Sequence, residues 1–415
     1  MIAPTPHHDP RDCGFRDRAS VADVLVTIDT RVVAIGSEAV GLTVAAGRVL
    51  AGDLIAVEPI PGFDRAAMDG FALKGEETFG ADGYTPAPFR CIGRSRPGQG
   101  SEVTIGPGQA VAIATGAPMP AGADAVAKVE TVRRDGDNLL VFEPVSPGRH
   151  VSRRGEDVEA GRTVLSAGRV LRPQDLAAIS AIGRPRVSVI RRPRVAILIT
   201  GDELLSAGSA ASGYSIPDAN SPMLVALVAR DGGSPLVVGP VGDDREALRV
   251  TIGELATRSD LILISGGTST GPEDHAPSLI AELGELTAHG VAVRPASPTG
   301  LGFLGVVPVL LLPGNPVSCL CAYDLFGGRI VRRLGGRPVD WPYRQTLLPM
   351  ASKLASPIGR VDYARVRVED GRVEPMSVGG ASILSSVTRA DGFVIVPVDL
   401  EGYPAGADVV VWLYD

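Results

Sequence analysis

The sequence predicts a multidomain protein of α/β and β type, and three observations support this class. The chain has 415 residues, which is enough for two to four domains with cores of their own. Strand-like and helix-like segments alternate between residues 193 and 337, as is typical of a mostly parallel sheet. Short strand-like runs, separated by glycines and prolines, fill residues 62–150 and 338–415 and indicate two small β domains.

Changes in composition along the chain predict the domain boundaries. Residues 1–17 are rich in Pro, His and charge, and we expect a disordered tail there. Residues 18–61 and 151–192 are expected to form a discontinuous N-terminal linker domain of mixed structure, with a small β domain inserted at residues 62–150. A central three-layer α/β domain is expected at residues 193–337, and a β-barrel or sandwich at residues 338–415.

Hydrophobic periodicity predicts the individual elements. Ser20-Val-Ala-Asp23 is typical of a helix start, and Asp244 of a helix N-cap. Helices are expected at residues 174–182, 223–230, 244–255 and 276–283. Central strands are expected at residues 195–199, 236–238, 261–264, 291–293 and 309–312, and strands of the β domains at 110–114, 125–129, 139–142, 363–368, 392–397 and 409–413.

Composition and charge argue against several classes of protein. The net charge of −7 disfavours a nucleic-acid-binding surface. No apolar run reaches the roughly 18–20 residues of a membrane span, and the N-terminal stretch lacks the apolar segment of a signal peptide. We therefore expect a cytoplasmic protein without membrane contact. The cysteines show no metal-ligand spacing and are expected to be reduced: Cys13, Cys91, Cys319 and Cys321.

The stretch from Ser265 to Gly271, Ser-Gly-Gly-Thr-Ser-Thr-Gly, follows the apolar strand at residues 261–264. Its glycines can adopt positive φ, and its hydroxyls and free N–H groups suit an anionic ligand such as a phosphate. Open α/β sheets bind ligands at the carboxyl ends of their strands, where this turn is expected. It is not a Walker A loop, because Pro272-Glu273 stands where Lys-[Ser/Thr] is required. The alternative is an ordinary turn between a strand and a helix.

Acidic side chains follow neighbouring strands and are expected at the same edge of the sheet. Asp202 and Glu203 come after the strand at residues 195–199, Asp243 after the next strand, and Asp274 after the glycine-rich turn. Each could merely cap a helix, but three carboxylates near one phosphate-sized turn suit a hard cation and phosphoanhydride chemistry. The stretch 218–221, Asp-Ala-Asn-Ser, also has two interpretations: it could hydrogen-bond a heterocycle, or it could merely cap the next helix.

Two loops stiffened by proline, at residues 294–298 and 311–318, each leave a predicted strand at this edge. Arg294 and nearby serines could bind an oxyanion. Polar turns also interrupt the inserted β domain at residues 64–70, 115–118 and 153–157. The five histidines follow no pattern, and no nucleophile elbow is present, which argues against a catalytic triad or a zinc site.

These motifs, in this order, resemble those of the molybdopterin molybdenumtransferase family, which includes MoeA and the gephyrin E domain. The likeness extends from about residue 20 to the end of the chain, and residues 313–318 read PGNPVS as in the family. The resembling motifs are Ala67-Met-Asp-Gly-Phe-Ala72, Ala114-Thr-Gly-Ala-Pro118, Arg153-Arg-Gly-Glu-Asp157, Thr200-Gly-Asp-Glu-Leu204, Ser265-Gly-Gly-Thr-Ser269, Pro313-Gly-Asn-Pro-Val-Ser318, Gly359-Arg-Val-Asp-Tyr-Ala-Arg365 and Ser385-Ser-Val-Thr-Arg-Ala-Asp-Gly392.

The resemblance implies an enzyme of molybdenum cofactor biosynthesis. Such an enzyme inserts molybdate into adenylylated molybdopterin and releases AMP, in a step that depends on Mg²⁺ or Zn²⁺. The resemblance also implies a C-terminal β-barrel and a homodimer whose active cleft lies between the central domain of one subunit and the inserted domain of the other. Transient contacts with an adenylyltransferase and with client molybdoenzymes are implied as well.

The resemblance assigns roles to residues at the matching positions. Catalytic roles are implied for Asp69, Thr115, Asp157, Glu203, Asp243 and Asp274, the first three acting across the dimer. Cofactor binding is implied for Thr200, Gly201, Asp202, Asp218, Asn220, Ser265, Gly266, Gly267, Thr268, Ser269, Pro313, Gly314, Asn315 and Pro316. Metal binding is implied for Asp202, Asp243 and Asp274, and oxyanion binding for Arg294, Ser297, Ser318, Arg365 and Ser386.

One departure from the family pattern concerns the oxyanion loop. The family often reads Lys-Pro-Gly-(Lys/Leu)-Pro where this chain has Arg294-Pro-Ala-Ser-Pro298, so Ser297 removes a positive charge. The choice between molybdate and tungstate therefore stays open, as does a specialised paralogue. Two other functions also stay open: adenylylation of molybdopterin, and a non-catalytic scaffold or cofactor carrier. The two β domains argue against the first, and the three aspartates against the second.

Overall fold

The computed structural model describes Phe15, residues 17–376 and residues 383–414, and the chain divides into two compact units. The smaller unit comprises Ala39–Ala46 and Leu50–Val187. The larger unit comprises the described residues up to Glu38, Gly47–Val49, and the chain from Ser188 onward. Except for Phe15 and Asp17, the predicted disordered tail lies outside the described residues, and so does Cys13.

Helix α1 (Val21–Arg31) begins where the sequence predicts, because the hydroxyl of Ser20 accepts a hydrogen bond from the Asp23 N–H at 3.0 Å. It buries Val24 and Ile28, which lie one turn apart on the same face. Strand β1 (Ser37–Gly41) follows.

The smaller unit is mainly β structure. Its elements are β2 (Leu54–Ile55), β3 (Arg65–Ala66), β4 (Gly70–Leu73), β5 (Ala87–Ser95), β6 (Gln109–Ile113), β7 (Ala125–Lys128), β8 (Val132–Asp135), β9 (Asn138–Val141), β10 (Val151–Ser152), β11 (Thr163–Leu165) and α2 (Pro173–Ala181), with short 3₁₀ helices at Leu42–Val44, Gly75–Thr78 and Val129–Thr131. Six strands form one sheet of order β7-β4-β6-β5-β9-β8. Phe71, Leu73 and Leu139 are buried in its core. The strands predicted in this region, and the helix α2, are confirmed.

The central part of the larger unit alternates strands and helices, as the sequence predicts. Strand β12 (Arg186–Ile190) begins in the smaller unit and ends in the larger one. The elements that follow are β13 (Arg194–Thr200), β14 (Leu204–Leu205), β15 (Ile216–Pro217), α3 (Asn220–Arg230), β16 (Ser234–Val241), α4 (Arg245–Arg258), β17 (Leu261–Ser265), α5 (Ala276–Leu283), β18 (Glu285–His289), β19 (Val293–Arg294), β20 (Gly300–Leu304), β21 (Val307–Leu312), α6 (Pro316–Ala322), a π-helical turn (Tyr323–Gly327) and α7 (Gly328–Leu334).

Six of these strands form the central sheet, in the order β16-β13-β17-β21-β20-β18. The first four are parallel, and β20 runs antiparallel to both of its neighbours. Alternate residues of β13 enter two different cores, because side chains of a strand point to opposite faces. Ile197 packs in the core that includes Leu224 of α3, whereas Leu198 packs in the core that includes Leu248 of α4 and Leu279 of α5.

The strand predicted at residues 291–293 does not belong to the central sheet, so this part of the prediction is wrong. The observed strand, β19, pairs in parallel with residues 361–362. The antiparallel strands β18 and β20 instead complete the central sheet, and the sequence analysis missed both. Gly300 and Gly302 make β20 a poor match to any strand pattern, yet a Cβ at Gly302 would lie 2.4 Å from Ile280, so close packing requires glycine there.

The C-terminal part of the larger unit is again mainly β. Its elements are β22 (Arg344–Pro349), β23 (Leu354–Ala355), β24 (Val361–Glu369), β25 (Arg372–Pro375), the short helix α8 (Ser385–Thr388), β26 (Gly392–Val396), β27 (Gly402–Tyr403) and β28 (Asp408–Leu413). The sheet order is β19-β24-β26-β28-β22, and β25 pairs with β24. A bridge between Met350, next to β22, and Val373 of β25 brings the two ends of this sheet together.

A buried polar cluster joins the central helices to the C-terminal strands. Asp324, in the π-helical turn, accepts hydrogen bonds from the hydroxyls of Tyr343 and Tyr363, each at 3.0 Å. Arg230 of α3 forms an ion pair with the same carboxylate at 3.0 Å. The ring of Tyr363 stacks on Phe393 at 4.0 Å between centroids. No helix within the described residues is both long and apolar enough to cross a membrane.

Candidate active site

The glycine-rich turn leaves the central sheet at the carboxyl end of β17. Gly266 has a φ of 98°, and a Cβ there would lie 2.0 Å from the carbonyl oxygen of Thr200. Only glycine fits this position, because both the backbone angle and the contact exclude a side chain. Ser265 pairs in register with Ile199 and with Leu312, so the segments after β13, β17 and β21 emerge at one edge.

A cavity of about 730 Å³ opens at this edge. The segments predicted to bind the cofactor meet there, and Asp202 is the one residue predicted to bind the cofactor that does not line the cavity. The predicted residues that line the cavity are Thr200, Gly201, Glu203, Asp218, Asn220, Asp243, Ser265, Gly266, Gly267, Thr268, Ser269, Asp274, Pro313, Gly314, Asn315 and Pro316. The sequence analysis did not assign Leu384, which also lines it and comes from the C-terminal part of the chain. No local signal could have identified Leu384, because its place depends on tertiary packing.

Asn220 is held at the cavity by both neighbouring segments. Its Nδ2 donates to Ser265 Oγ at 2.8 Å and to the carbonyl oxygen of Gly314 at 2.7 Å. Its Oδ1 is buried and has no partner, so this oxygen can accept a hydrogen bond from a ligand N–H group. Asp218 accepts from the N–H groups of Asn220 and Ser221 at 2.8 and 3.0 Å, which confirms the capping alternative for Asp218.

Asp202 and Asp243 form a reciprocal pair. Each carboxylate accepts a hydrogen bond from the other residue's backbone N–H, at 3.1 and 3.3 Å, and Asp243 also accepts from the hydroxyl of Thr200 at 2.9 Å. The capping alternative for Asp202 is wrong, because strand β14 follows it and no helix begins there. The N-cap of α4 is Asp244, whose side chain accepts from the Ala247 N–H, as predicted.

The predicted three-carboxylate metal site is not formed. Asp274 Oδ2 accepts a hydrogen bond from the Gly271 N–H at 2.5 Å. Within the described residues, no three His, Cys, Asp or Glu side chains are arranged to hold a metal ion. The pair of Asp202 and Asp243 nevertheless fits Mg²⁺, which commonly uses one or two carboxylates and completes its shell with phosphate oxygens and water.

His289, which the sequence analysis did not assign, supports the glycine-rich turn from behind. Its Nε2 lies 2.9 Å from the carbonyl oxygen of Thr268, and the hydroxyl of Thr268 donates to the carbonyl of Leu312 at 3.0 Å. These contacts fix the middle of the turn against β18 and β21. A lone histidine in an unrecognised strand carries no sequence signal for this role.

The residues predicted to bind an oxyanion include two arginines with unsatisfied groups. Arg365 is 4% exposed, and its Nε and Nη1 have no hydrogen-bond partner. Arg294 forms an ion pair with Asp362, and its Nε is buried without a partner. Buried guanidinium nitrogens without partners are uncommon, and an anion would satisfy them. The side chains of Ser318 and Ser386 are buried, and Ser386 Oγ donates to the Ile383 carbonyl at 2.6 Å.

The loop at residues 294–298 leaves β19 and not a strand of the central sheet. Ser297 Oγ donates to the Val291 carbonyl at 3.2 Å, and Ala296 has a φ of 92°, a region that favours glycine. The next residue, Pro298, lines the central cavity. The loop therefore still borders the cavity, although it belongs to a different sheet from the one predicted.

In the smaller unit, Asp69 and Thr115 are in contact. Asp69 Oδ1 accepts from both the N–H and the hydroxyl of Thr115, at 2.6 and 2.9 Å, and these bonds hold the pKa of the Asp69 carboxyl below its ordinary value. Asp157 lines a separate cavity of about 610 Å³ within this unit, together with Arg65, His150 and Glu156. The sequence analysis did not assign His150, whose φ of 60° is rare for a residue other than glycine.

The predicted reduced cysteines are confirmed where the structure describes them. Cys91, Cys319 and Cys321 are free and buried. Cys319 and Cys321 lie in α6, and burial raises the pKa of the Cys319 thiol to about 12. Burial likewise raises the pKa of the Cys321 thiol, so both groups favour the protonated form.

Three family models match the chain in succession. The MoeA N-terminal region (domain I and II) matches residues 19–183, a probable molybdopterin-binding domain matches residues 196–333, and the MoeA C-terminal region (domain IV) matches residues 348–414. Together they span both units and contain the resembling motifs.

Relatives and solved structures agree with this assignment. The chain is 33% identical over 382 residues to molybdopterin molybdenumtransferase 2 of Mycobacterium tuberculosis, covering 90% of this chain and 94% of the relative. It is 30% identical to molybdopterin molybdenumtransferase of Bacillus subtilis, covering 91% and 90%. A crystal structure of a molybdopterin biosynthesis MoeA protein from Pyrococcus horikoshii superposes with a TM-score of 0.85 at 32% identity, over 96% of this chain and all of that one. The resemblance is confirmed, and the chain belongs to the molybdopterin molybdenumtransferase (MoeA) family.

Proposed function

We propose that this protein is a transferase of molybdenum cofactor biosynthesis that inserts molybdate into adenylylated molybdopterin and releases AMP. The observation that carries the proposal is the cavity at the edge of the central sheet. There, a turn that requires glycine, the carboxylate of Asp243 and the side chain of Asn220, whose buried amide oxygen has no partner, line one cavity. Backbone N–H groups, carboxylates and an amide are the groups needed for a phosphoanhydride joined to a heterocycle.

Different residues at the cavity would bind different parts of the substrate. The turn from Ser265 to Ser269 would hold the phosphates with its N–H groups and hydroxyls, and Asn220 would orient the heterocycle through its free Oδ1. Asp218 would act through Asn220, since it fixes the backbone from which that side chain projects. Glu203 and Asp274, which also line the cavity, would orient the attacking oxygen that completes the phosphate of AMP.

Asp202 and Asp243 are the residues that would hold a divalent cation, with Mg²⁺ preferred and Zn²⁺ as the alternative. Such a cation, when bound, neutralises charge on the phosphate that leaves. Asp274 is left out of this shell, because within the described residues no three such side chains are arranged to hold a metal ion.

The oxyanion substrate would bind near Arg365, Arg294, Ser297, Ser318 and Ser386. The buried, unpaired nitrogens of Arg294 and Arg365 support this location. Each nitrogen can donate to an oxygen of a tetrahedral dianion, and the buried surroundings strengthen such a bond. Because Asp362 already neutralises Arg294, Arg365 carries the larger share of the attraction.

We also propose several features of the whole protein. They are the five domain boundaries, a three-layer central domain, a closed C-terminal barrel, the cytoplasmic location and a homodimer in which Asp69, Thr115 and Asp157 would serve the partner subunit. We propose contacts with an adenylyltransferase and with client molybdoenzymes as well. Cores on both faces of the central sheet support the three layers, and the bridge from Met350 to Val373 supports the barrel.

A single-turnover assay tests the function and separates it from the two alternatives. The protein is mixed with adenylylated molybdopterin, Mg²⁺ and either molybdate or tungstate, and the release of AMP is followed. We expect release that depends on the oxyanion, and comparison of the two anions identifies the metal. Tight binding without release would replace the proposal with a scaffold or carrier. Pyrophosphate release from ATP and molybdopterin, without oxyanion-dependent release of AMP, would replace it with an adenylyltransferase.

A further inference from the structure

The segment before α1 packs against residues 289–292, which lead into β19 and the oxyanion loop. Phe15 packs edge-on against His289, with 5.0 Å between ring centroids, and its ring lies over Gly290, where a Cβ would be only 2.3 Å from Phe15. Ala19 forms a bridge with Val291, donating to the Gly290 carbonyl and accepting from the Ala292 N–H, both at 2.9 Å. These two attachments flank Arg18 and hold its backbone beside the loop.

From this position Arg18 reaches the loop residue that lacks the family's charge. Its Nε donates to the hydroxyl of Ser297 at 3.0 Å. Within the described residues, this is the one hydrogen bond of the Arg18 guanidinium, and the side chain forms no ion pair. Its two Nη groups are therefore available to an anion, and a planar guanidinium can offer them as a fork.

The loop's own arginine cannot supply this charge. Arg294 is paired with Asp362, which is fully buried, so the pair carries no net charge toward a ligand. The loop nevertheless borders the central cavity through Pro298. Arg18 is thus a cation beside this loop, and no carboxylate within the described residues forms an ion pair with it.

We propose that Arg18 is an additional binding residue for the tetrahedral oxyanion, and that it replaces in space the positive charge absent at Ser297. This inference rests on the proposed function, because it concerns the same substrate. Ser297 acts as the positioning residue, because its hydroxyl accepts a hydrogen bond from Arg18 Nε. This bond directs the two Nη groups of Arg18 away from Ser297. The proposal also gives the segment before α1 a part in the site, which its sequence does not indicate.

The test removes the charge and the two Nη groups of Arg18 while keeping an N–H donor near the position of Nε. Arg18→Gln is compared with the wild type for the binding of molybdate alone, measured by equilibrium dialysis, and for the molybdate dependence of AMP release. We expect about 10-fold weaker binding, as for the loss of one charge-assisted hydrogen bond. The rate at saturating molybdate should stay the same, because Arg18 would not touch the phosphoanhydride.

Moving the charge provides the stricter half of the test. Ser297→Lys in the Arg18→Gln background should restore molybdate binding, whereas a purely structural role of Arg18 would not be rescued. Ser297→Lys alone should tighten binding. Arg258→Gln is the matched control, since Arg258 is exposed at the end of α4, next to the opposite edge of the sheet, and should bind molybdate as the wild type does.

The outcomes separate this inference from the proposed function. If the wild type releases AMP in a molybdate-dependent way and Arg18→Gln has the same molybdate dependence, the role of Arg18 is refuted while the function stands. If the wild type releases no AMP, the function is refuted, and dialysis with molybdate still decides on Arg18. A loss of binding that Ser297→Lys does not restore would also overturn the proposal.

Discussion

At Asp274, a carboxylate that lines the cavity also holds the backbone of its own loop. Asparagine keeps a carbonyl oxygen that can accept the Gly271 N–H but removes the negative charge. We expect Asp274→Asn to unfold at the same urea concentration as the wild type and to release AMP roughly 100-fold more slowly, as for the loss of a general base. Single-turnover release and urea titration measure the two effects.

Asp274→Ala is the control for the structural half of this role. It removes the acceptor as well as the charge, so it should lose about 1 kcal/mol of unfolding free energy. If Asp274→Asn released AMP at the wild-type rate, the negative charge of Asp274 would not contribute to the reaction. Its role would then be limited to the hydrogen bond within its loop.

Individual residues also show how far local sequence can predict a site. The pattern at Asp244 predicts an N-cap, and at Asp218 it leaves a cap as one of two alternatives; both side chains accept from N–H groups two or three residues away. Asp202 looked the same in sequence, yet its partner is the N–H of Asp243, 41 positions further along the chain. Arg18 and Leu384 gave no signal at all, because tertiary packing alone brings them to the site.

At the scale of elements, the π-helical turn with Asp324 links helix α3 to the strands of the C-terminal sheet. Burial raises the pKa of the Asp324 carboxyl, although Arg230 and two tyrosine hydroxyls oppose this by favouring its charged form. A charge so deeply buried is tolerated only with such partners. If Asp324 were removed, Asp231 would be the one carboxylate left to pair with both Arg230 and Arg332.

We therefore expect Asp324→Ala to lose about 3–5 kcal/mol of stability, as for the breaking of a buried ion pair. Tyr343→Phe, which removes one hydroxyl from the same carboxylate, should lose only about 1 kcal/mol. Urea unfolding followed by tryptophan fluorescence is suited to the measurement, because Trp341 and Trp412 pack together beside this cluster at 5.1 Å between centroids. Equal losses from the two variants would show that the hydrogen bonds, and not the ion pair, stabilise the link.

The elements themselves were predictable to different degrees for physical reasons. Strands buried on both faces, such as β13 and β17, appear in the sequence as continuous apolar runs and were found with their neighbouring helices. The two-residue strand β19 also appeared as an apolar run, but periodicity cannot tell which sheet a short run joins. The sequence of β20 does not match a strand pattern because of its glycines, although close packing in the sheet requires glycine there.

At the scale of the whole molecule, the family could be predicted because many short motifs occur in one order along nearly the entire chain. The metal site could not be predicted in the same way. The sequence shows that Asp202, Asp243 and Asp274 follow strands at one edge, but only the structure shows which backbone N–H groups these carboxylates accept. The order of the motifs can be read along the whole chain, whereas the direction of a side chain depends on its surroundings in the folded structure.

The acid sensitivity of the whole molecule follows from carboxylates that are ion-paired in the folded state. Burial alone would raise the pKa of Asp260, but hydrogen bonds from Arg191 and Arg194 outweigh it and lower the pKa to about 2. Bonds from Arg329 and Arg169 likewise lower the pKa of Asp29 and of Asp175. A carboxyl whose pKa is lower in the folded chain than in the unfolded one stabilises the fold at pH values above the unfolded pKa, and loses this effect as the pH falls through the folded value.

We therefore expect the urea midpoint of unfolding to be nearly constant from pH 7 to about pH 5 and to fall steeply between about pH 4 and pH 2. Asp324, whose pKa is raised, acts in the opposite direction and only moderates this fall. Asp260→Asn cannot change its charge in this range, so its midpoint should be lower at neutral pH and depend less on pH below 4. Asp399→Asn, at an exposed aspartate outside these ion pairs, should keep the wild-type pH dependence. If Asp260→Asn shows the same steep fall as the wild type, the ion pairs of Asp260 do not contribute to acid unfolding, and the other paired carboxylates account for it.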